Sequence, residues 1–541
     1  MQLTQNHINT ILQSLRLGQI EKALQLTNKL LKDNSDNLQL NKLAAYIYSM
    51  KDKHHLSIEL LTRIKNKYPK DFDIANNLGH SYLHTEKTDM ALENINNAIK
   101  IEPNNPAPYK NLAGVYLLLR DFDRASLAID KCLKDTQKIS NNFEEYLTVI
   151  TLKSQILLAQ NKKDLAIDFL KNYLDKTFDP ELLLNLIGID KKVITSDLVS
   201  RSKDLINKNI YKSHLDKFNK LSPLLFFLAQ YYENIDQSKS EDYYNLANSE
   251  VIKIQRLQVI VFQKRFKTIM DSYTKIRDIE ISDQNRGDKN IFIVGMPRSG
   301  TSLLESVITA NNDVFPGGEL QAMNQLYNIF EQSKKTNPVE GLNFISTEYF
   351  EITNSIKGNY EKIVDKMPLN FSLIGFILKT LPLSKIILIL RDPWDIAISL
   401  YKQRYVKNIP YAASFFNIGV YMANFEAMVN FWLNLPEIKE RIYILKYEDL
   451  VSNFDTEQKA IYQFCEISEP YKEEVRKNHF VRTASMNQVQ NKIHKDSIKK
   501  KSFELGKKEF FDTYQSQKEF WENNTQIVSD KNFFGYLDQR E

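Results

Sequence analysis

The stretch IFIVGMPRSGTS at residues 291–302 joins an apolar run to a glycine-containing loop. Four apolar residues lead to Gly295, four residues separate it from Gly300, and two hydroxyl residues, Thr301 and Ser302, follow. The spacing is that of the phosphate loop G-x-x-x-x-G-K-[ST], except that Thr301 stands where that loop has its lysine. The pattern predicts a strand, a loop and a helix N-terminus that bind an anion through backbone N–H groups.

The loop contains an arginine in place of the missing lysine. We expect Pro297 to stiffen the loop and Arg298 to supply the positive charge. An arginine can bind an oxyanion through two N–H groups, whereas a phosphate-loop lysine usually acts beside Mg²⁺. We therefore predict anion binding without a metal by the loop residues Pro297, Arg298, Ser299, Gly300, Thr301 and Ser302. The alternative is a glycine-rich turn without a ligand.

Around this loop, apolar runs alternate with helical patterns. Predicted buried strands are IFIV (291–294), KIVD (362–365), IILIL (386–390) and IYIL (442–445). Predicted helices cover about 300–311, 371–380, 393–406, 414–434 and 455–465. This alternation is typical of an α/β domain with a parallel sheet, in which ligands bind at the carboxyl ends of the strands.

The first part of the chain repeats every 34 residues. Small residues recur at Ala23, Ser57, Ala91 and Ala125, and Tyr48, Tyr82 and Tyr116 recur at another phase. Small residues are required where the two helices of a repeat touch, and larger ones face the next repeat. Over residues 4–137 the pattern resembles tetratricopeptide repeats.

The helical pattern continues beyond these repeats with a shift of phase, since Ala166 falls seven residues late. The polar stretch ISDQNRGDKN at 281–290 is interpreted as a linker. We therefore predict a two-part chain, with an all-α tetratricopeptide solenoid at 1–280 and a phosphate-loop-like α/β domain at 291–541. The repeats either bind a peptide or second subunit in a groove, or form an arm that covers the second domain.

Composition narrows the class of protein. The length of 541 residues predicts two to four domains, and a net charge of +5 gives no reason to expect nucleic acid or membrane as a partner. Cys132 and Cys465 are predicted core thiols in a reducing compartment. The first residues, MQLTQNHINTILQSLRLGQ, have no basic segment followed by an apolar run. We expect a soluble, cytoplasmic protein without a signal peptide or membrane anchor.

Five segments in order carry a resemblance to a known family. They are GMPRSGTS (295–302), VDKMPLNFSLIG (364–375), KIILILRDPWDIAISLY (385–401), YEDLV (447–451) and VRTASMNQV (481–489). Together they resemble bacterial sulfotransferases fused to tetratricopeptide repeats. These enzymes use 3′-phosphoadenosine 5′-phosphosulfate (PAPS), and the domain is also similar to tyrosylprotein sulfotransferases. The resemblance covers about residues 290–500 and implies the sulfotransferase fold.

The resemblance implies where the sulfuryl donor binds. The loop at 295–302 would hold its 5′-phosphosulfate, and Arg391 with Ser399 would hold its 3′-phosphate. The spacing of this pair also suits a phosphate, because Arg391 directly follows a strand and Ser399 lies about two turns into the next helix. Tyr447 and Ser485 match residues near the donor. The alternatives are a structural ion pair of Arg391 with Asp392 or Asp395, and a metal-binding role for Asp392.

Sulfuryl transfer needs positive charge at the leaving oxygen and a base for the acceptor proton. We expect Arg298 and Lys366 to be the cations, since Lys366 follows the strand KIVD and resembles the family's catalytic lysine. Glu319 in FPGGELQ matches the family's glutamate and is the predicted base; a solvated loop glutamate is the alternative. Lys499, Lys500 and Lys501 either contact the donor or form a solvated lysine run.

These observations predict a PAPS-dependent sulfotransferase that modifies a hydroxyl or an amine. The repeats favour a peptide or protein acceptor, with tyrosine as one candidate, while glycans, lipids and small phenols or amines stay open. PAPS and its product 3′-phosphoadenosine 5′-phosphate (PAP) are the predicted small-molecule partners, with no metal. Two other classes stay open. One is an NTP-dependent, kinase-like enzyme with a modified loop, and the other is a non-catalytic scaffold that senses a nucleotide.

Overall fold

The computed structural model describes residues 4–139, 143–255, 259–333, 337–406, 409–468, 470–477 and 503–524. The 34-residue period reappears in the starts of its first helices, because the second helices of successive pairs begin at residues 20, 54, 88 and 122. The eight helices are α1 (Gln5–Arg16), α2 (Ile20–Asp33), α3 (Leu38–Met50), α4 (His54–Lys65), α5 (Phe72–His84), α6 (Thr88–Ile101), α7 (Pro106–Leu118) and α8 (Phe122–Ile139).

Capping and packing residues explain why the repeats fold at these positions. Asn37, Asp71 and Asn105, also 34 apart, each accept a hydrogen bond from a backbone N–H in the first turn of the helix that follows. The small residues predicted between paired helices are fully buried. A methyl group at Gly79 would lie only 2.5 Å from Cγ1 of Ile95, so this contact requires glycine. The repeat prediction is confirmed.

The predicted change of phase is also observed. Helix α9 (Phe143–Ala159) and helix α10 (Lys163–Thr177) start three and seven residues later than the period requires. Further helices of the described chain follow before the sheet: α11 (Pro180–Ile189), α12 (Ser196–Asn207), α13 (His214–Asp216), α14 (Ser222–Tyr232), α15 (Gln237–Ile254) and α16 (Val259–Ile276).

A parallel five-stranded sheet occupies the second part of the chain. Its strands are β1 (Asn290–Gly295), β2 (Val314–Pro316), β3 (Lys362–Asp365), β4 (Lys385–Leu390) and β5 (Ile442–Lys446). They lie in the order β2-β3-β1-β4-β5, with Gly295 of β1 beside Ile389 of β4 and Phe292 beside Asp365 of β3. The four predicted strands are confirmed, and the three-residue edge strand β2 was not predicted. Because β1 is central, its loop opens where the strand order changes direction.

Helices cover this sheet and differ in places from the sequence prediction. They are α17 (Thr301–Ile308), α18 (Ala322–Gln332), α19 (Pro338–Lys357), α20 (Ile374–Thr380), α21 (Pro393–Tyr401), α22 (Phe415–Leu433), α23 (Pro436–Lys439), α24 (Tyr447–Ser452), α25 (Phe454–Phe464), α26 (Glu473–Lys477) and α27 (Lys507–Asn524). The helix predicted at 393–406 ends at Tyr401, and α18 and α19 were not predicted.

The segment after α21 contacts a distant part of the sequence. Arg404 donates from Nη2 to the carbonyl of Phe218 at 2.9 Å and from Nε to Oγ of Ser222 at 3.0 Å, and it also pairs with Glu181. These partners lie in a distant part of the sequence. The helical pattern in the sequence could not indicate that Arg404 would be held there.

Contacts divide the chain into two compact units, Met1–Gln160 with Glu351–Gly358 and Asn161–Phe350 with Asn359–Glu541. The second unit therefore contains α10 to α16 as well as the sheet. In its core, the ring of Tyr273 from α16 meets Trp432 edge-on at 5.1 Å, and Trp432 donates from Nε1 to the carbonyl of Phe371 at 2.9 Å.

The polar segment 281–290 is tied to the sheet by its backbone. Leu383 N–H donates to the carbonyl of Arg286, and Ile363 N–H donates to that of Lys289. Elsewhere, Cys132 and Cys465 are both buried, as predicted, and burial raises the pKa of Cys465 to about 12. Among the helices of the described part of the chain, none has the length and apolar character needed to cross a membrane.

Candidate active site

All five strands end at the same edge of the sheet, and each is followed by a predicted site residue. Arg298 follows β1, Glu319 follows β2, Lys366 follows β3, Arg391 follows β4 and Tyr447 follows β5. Parallel strands place their carboxyl ends side by side, so residues far apart in the sequence are brought to one place. The sequence pattern could not predict that Glu319 lies at this edge of the sheet, because β2 has only three residues and is too short to be recognised as a strand.

The loop after β1 requires its two glycines. Gly295 has a φ of 154°, and a methyl group there would lie 2.5 Å from the carbonyl oxygen of Ile389. Gly300 has a φ of 105°, and a methyl group there would lie 2.3 Å from the ring of Tyr447. Both positions exclude any larger residue, since L-residues rarely adopt such φ values and the space is filled. The backbone can therefore turn into α17 as the motif predicts.

The other loop residues are close-packed around this turn. Pro297, Ser299, Thr301 and Ser302 are buried, and Arg298 is partly exposed with a left-handed φ of 71°. The hydroxyl of Ser299 is buried and has no hydrogen-bond partner among the residues that the structure describes. A buried hydroxyl without a partner costs free energy, so a bound anion at this loop would satisfy it. This orphaned hydroxyl and the glycine-enforced turn fit an anion-binding loop.

The two arginines of the site are neighbours. Arg298 donates from Nε to Oγ of Ser399 at 2.9 Å, and Arg391 donates from Nη1 to the carbonyl of Arg298 at 3.1 Å. The structure thus brings together the loop and the predicted Arg391 and Ser399 pair. Arg391 also lies 3.4 Å from a carboxylate oxygen of Asp395, the ion pair considered as the structural alternative.

Tyr447 lies between the loop and Arg391. Its ring lies 4.4 Å from the guanidinium carbon of Arg391, close enough for a cation–π interaction, and the ring also contacts Gly300. Asp392 caps α21 by accepting from the N–H of Asp395, and its own N–H donates to Oε1 of Glu448 at 3.0 Å. Glu448 was not predicted. In the sequence, the only indication of its role is that it is an acidic residue directly after Tyr447.

Lys366 and Glu319 form an ion pair at the ends of β3 and β2. Nζ of Lys366 lies 2.8 Å from Oε1 of Glu319. The lysine side chain is 1% exposed and the glutamate side chain 44% exposed. A lysine this deeply buried needs a charged partner, because an isolated buried ammonium is very costly. The predicted cation and the predicted base are therefore direct neighbours.

A second glutamate, missed in the sequence, fixes the loop that carries Glu319. Glu305 on α17 is buried, and its Oε1 accepts from the N–H of Gly318 at 2.9 Å. The carbonyl of Gly318 in turn accepts from the N–H of Lys366 at 2.8 Å. Gly317 N–H bonds to the carbonyl of Val364. Glu305 is the one charged residue of the helix TSLLESVI, and this was the signal that could have found it.

Ser485 and the lysines at 499–501 lie outside the described residues. Within the described part of the chain, no cluster of three or more His, Cys, Asp or Glu side chains is suited to a metal ion.

Two segments of the chain match the profiles of known protein families. Residues 290–472 match the profile of the sulfotransferase family, and residues 1–144 match that of the ChAPs, Chs5p-Arf1p-binding proteins. An uncharacterized protein of Aquifex aeolicus (strain VF5) is 26% identical over 429 residues, which are 69% of this chain and 55% of that protein. The chain thus spans about half the length of the curated relative that it matches.

Solved structures with similar parts include repeat proteins. A thermophilic TPR protein of Thermus thermophilus is 17% identical with a TM-score of 0.30, over 34% of this chain and 97% of that one. PilF of Pseudomonas aeruginosa is 15% identical with a TM-score of 0.30, over 38% and 87% of the two chains. Residues 290–472 thus match the sulfotransferase family, and they follow an N-terminal array of helical repeats of the tetratricopeptide type.

Proposed function

We propose that the domain transfers a sulfuryl group from PAPS to a hydroxyl or an amine of an acceptor. The observation that carries this proposal is the meeting of Arg298, Glu319, Lys366 and Arg391 at the carboxyl ends of four parallel strands. The transfer requires positive charge, an anion-binding loop and one base, and the residues at this edge of the sheet are suited to these three roles. The match to the sulfotransferase family supports the reaction type.

The residues present divide into two anion-binding groups, as a donor with two anionic ends requires. The loop from Pro297 to Ser302 would hold the 5′-phosphosulfate through its N–H groups, the buried hydroxyl of Ser299 and the start of α17. Arg391 and Ser399 would hold the 3′-phosphate. Tyr447 would support Arg391 through the ring contact, and Ser485 is assigned to the donor by resemblance alone.

PAPS supplies a sulfur whose bond to the bridging phosphate oxygen breaks, with the electron pair passing to that oxygen. Lys366 and Arg298 would stabilise the negative charge that develops there. Glu319 would take the proton that the acceptor hydroxyl or amine loses as its oxygen or nitrogen bonds to sulfur. Lys366 and Glu319 lie 2.8 Å apart, and substrates would replace this contact when they bind.

The acceptor reaches the site from the side of Glu319. The glutamate side chain is 44% exposed, which leaves it open to a side chain projecting from a peptide or protein. We infer that tyrosine of a peptide or protein is among the acceptors, with the N-terminal repeats as the recruiting surface. Mass spectrometry of a lysate supplied with labelled PAPS tests this inference, and label confined to small molecules would contradict it.

Donor binding can be tested without knowing the acceptor. PAP and PAPS should raise the melting temperature of the protein far more than AMP does. Replacing Arg391 by Ala should lower the affinity for PAP at least about tenfold and the affinity for AMP very little. The reason is that a charge-assisted contact to the 3′-phosphate is lost only for PAP. Equal stabilisation by PAP and AMP, or Mg²⁺-dependent stabilisation by ATP instead, would reject the proposal.

A further inference from the structure

A buried carboxylate lies next to the proposed catalytic lysine in the chain and has no role in the reaction described so far. Asp365 is the last residue of β3, and Lys366 follows it directly. Both side chains are buried. A buried carboxylate is costly unless hydrogen bonds replace the lost water, and even a well-bonded buried charge adds little stability over an apolar side chain. The burial of Asp365 therefore points to a role other than packing.

Asp365 and Lys366 point to opposite faces of the sheet. The hydrogen bonding of β3 continues to Lys366, whose N–H donates to the carbonyl of Gly318 at 2.8 Å. Successive side chains of a strand alternate between the two faces, so Asp365 meets α19 while Lys366 meets Glu319. The direction of the lysine side chain thus depends on how the backbone at these two residues is held.

Tyr349 of α19 holds the carboxylate from the side of the sheet opposite to Glu319. Its hydroxyl donates to Oδ2 of Asp365 at 2.7 Å. The ring of Tyr349 stacks on that of Phe292 with centroids 5.6 Å apart, and Phe292 is the residue of β1 that pairs with Asp365. Because Tyr349 is fully buried, its hydroxyl has a fixed place against β1 and β3.

Asn370 holds the same carboxylate from beyond the lysine. It lies in the short 3₁₀ helix Pro368–Leu373, and its Nδ2 donates to Oδ2 of Asp365 at 3.4 Å. Its Oδ1 is buried and has no hydrogen-bond partner among the residues that the structure describes. An ionised carboxylate only accepts hydrogen bonds, so the amide turns its nitrogen toward Asp365 and leaves its oxygen unsatisfied. The turn that carries Lys366 is thereby closed by a side-chain contact between its two ends.

The turn needs this support at one stage of the proposed reaction. Without substrates, Nζ of Lys366 lies 2.8 Å from Oε1 of Glu319. Substrates would replace that contact, since the leaving oxygen takes the lysine and the acceptor takes the glutamate. The ammonium is then positioned by its own backbone, and a misplacement of about 1 Å can lower the rate of a reaction about 10²-fold.

We propose that Asp365, held by Tyr349 and Asn370, is a positioning residue that keeps Lys366 directed at the leaving oxygen once substrates have separated it from Glu319. This inference rests on the proposed function. Asp365 acts through the backbone of Lys366 and not through contact with the donor. Weakening its hydrogen bonds should therefore lower turnover and leave the affinity for PAP unchanged.

Tyr244 provides a matched control for Tyr349. It is also a buried tyrosine of the same compact unit, and its hydroxyl also donates to a carboxylate, Oε1 of Glu233, at 2.9 Å. This contact lies where α15 meets the end of α14. Tyr349→Phe and Tyr244→Phe each remove one hydroxyl and keep the ring, so a general loss of stability should affect both variants alike.

The experiment measures the transfer of label from PAPS to lysate acceptors by the purified full-length protein, together with its affinity for PAP. Tyr349→Phe and Tyr244→Phe are each made in wild type and in Lys366→Met. We expect Tyr349→Phe to lower turnover about tenfold in wild type and less than about twofold in Lys366→Met, because the hydroxyl acts only through the lysine. Tyr244→Phe should leave turnover within about twofold of either parent. Asn370→Ala, which removes the other donor to Asp365, should show the same dependence on Lys366 as Tyr349→Phe.

An affinity for PAP within about twofold of wild type shows that the Tyr349→Phe variant is correctly folded. If Tyr349→Phe kept the turnover of wild type, the inference would be overturned while the proposed function stood. It would also be overturned if Tyr349→Phe lowered turnover by the same factor in Lys366→Met as in wild type, or if it lost affinity for PAP in parallel with turnover. If the wild-type protein transferred no label, the proposed function itself would be rejected and the inference with it.

Discussion

Nζ of Lys366 and Oε1 of Glu319 lie 2.8 Å apart although the two residues are 47 positions apart in the sequence. The lysine follows β3 and the glutamate follows β2, and the parallel pairing of these strands, with Pro316 beside Val364, brings them together. A buried cation is thus held by an exposed carboxylate at the place where the proposed transfer occurs.

Replacing Lys366 by Met should remove the cation at the leaving oxygen while keeping a side chain of similar length. Loss of a positive group that acts mainly in the transition state lowers turnover by about 10²–10³. We expect transfer of label from PAPS to lysate acceptors to fall by that factor, with PAP affinity reduced much less. Turnover close to that of wild type would contradict the assigned role.

Replacing Glu319 by Gln should remove the base but keep an oxygen that can accept from Lys366. We expect PAP to bind as in wild type and transfer to fall by about 10²–10⁴, the usual contribution of a positioned general base. The same labelled-PAPS assay, run alongside a PAP titration, separates the two effects. A parallel loss of PAP binding would instead indicate that Glu319 maintains the donor site.

Glu305 should act by holding the loop of Glu319. Replacement by Gln keeps an acceptor for the N–H of Gly318, whereas replacement by Ala leaves that N–H without its partner. We expect Glu305→Ala to lower turnover at least about tenfold and Glu305→Gln to recover most of it. PAP affinity should change little in either variant. If Glu305→Gln lowered turnover as much as Glu305→Ala, the hydrogen bond to Gly318 would not explain the effect of Glu305 on turnover.

Gly300 should tolerate no side chain, because a methyl group there would lie 2.3 Å from the ring of Tyr447 at a φ of 105°. We expect Gly300→Ala to displace Tyr447 and weaken PAP at least about tenfold, beyond the roughly 1 kcal/mol that the backbone conformation costs. Gly358→Ala is the control, since Gly358 has a φ of 55° and open space around it. Both variants are measured by thermal unfolding with and without PAP, and equal PAP-induced shifts would count against the steric explanation.

Glu233 should make the fold sensitive to acid. Burial raises its pKa, but the charges of Lys402 and Lys191, with hydrogen bonds from Lys191 and Tyr244, outweigh this and lower the pKa from 4.5 to about 2. Because the folded-state pKa is depressed, the carboxylate stabilises the fold above pH 4.5, and this stabilisation disappears as the pH falls toward 2. At pH 7 the free energy of unfolding of Glu233→Gln should be about 2–3 kcal/mol lower than that of wild type, and near pH 3 the difference should be much smaller.

Denaturant unfolding of the full chain at pH 7 and pH 3 measures this difference. Asp197→Asn provides the comparison, since Asp197 and Arg201 form an exposed pair 3.6 Å apart whose loss should cost under about 1 kcal/mol at either pH. A Glu233→Gln variant equally destabilised at both pH values would show that packing, and not charge, is responsible.

The sequence by itself determined the repeats, four of the five strands and the glycine loop, because each has a local cause. The period of 34 residues specifies where small side chains meet, and Asn37, Asp71 and Asn105 cap helices at the same interval. An apolar run of four or five residues before a glycine or a charged residue indicates three of these buried strands and their ends, and KIVD has a shorter apolar pair before Asp365.

Only the tertiary structure decided which distant residues meet at the edge of the sheet. The pairing of the three-residue strand β2 with β3 brings Glu319 beside Lys366. Glu305, on the buried face of α17, accepts a hydrogen bond from the N–H of Gly318. The helices of residues 161–276 joined the unit of the sheet, where Arg404 and Tyr405 are held by partners far away in the sequence. These hydrogen bonds and charge contacts join residues that are distant in the sequence and meet only on folding. No periodicity of the sequence can predict them.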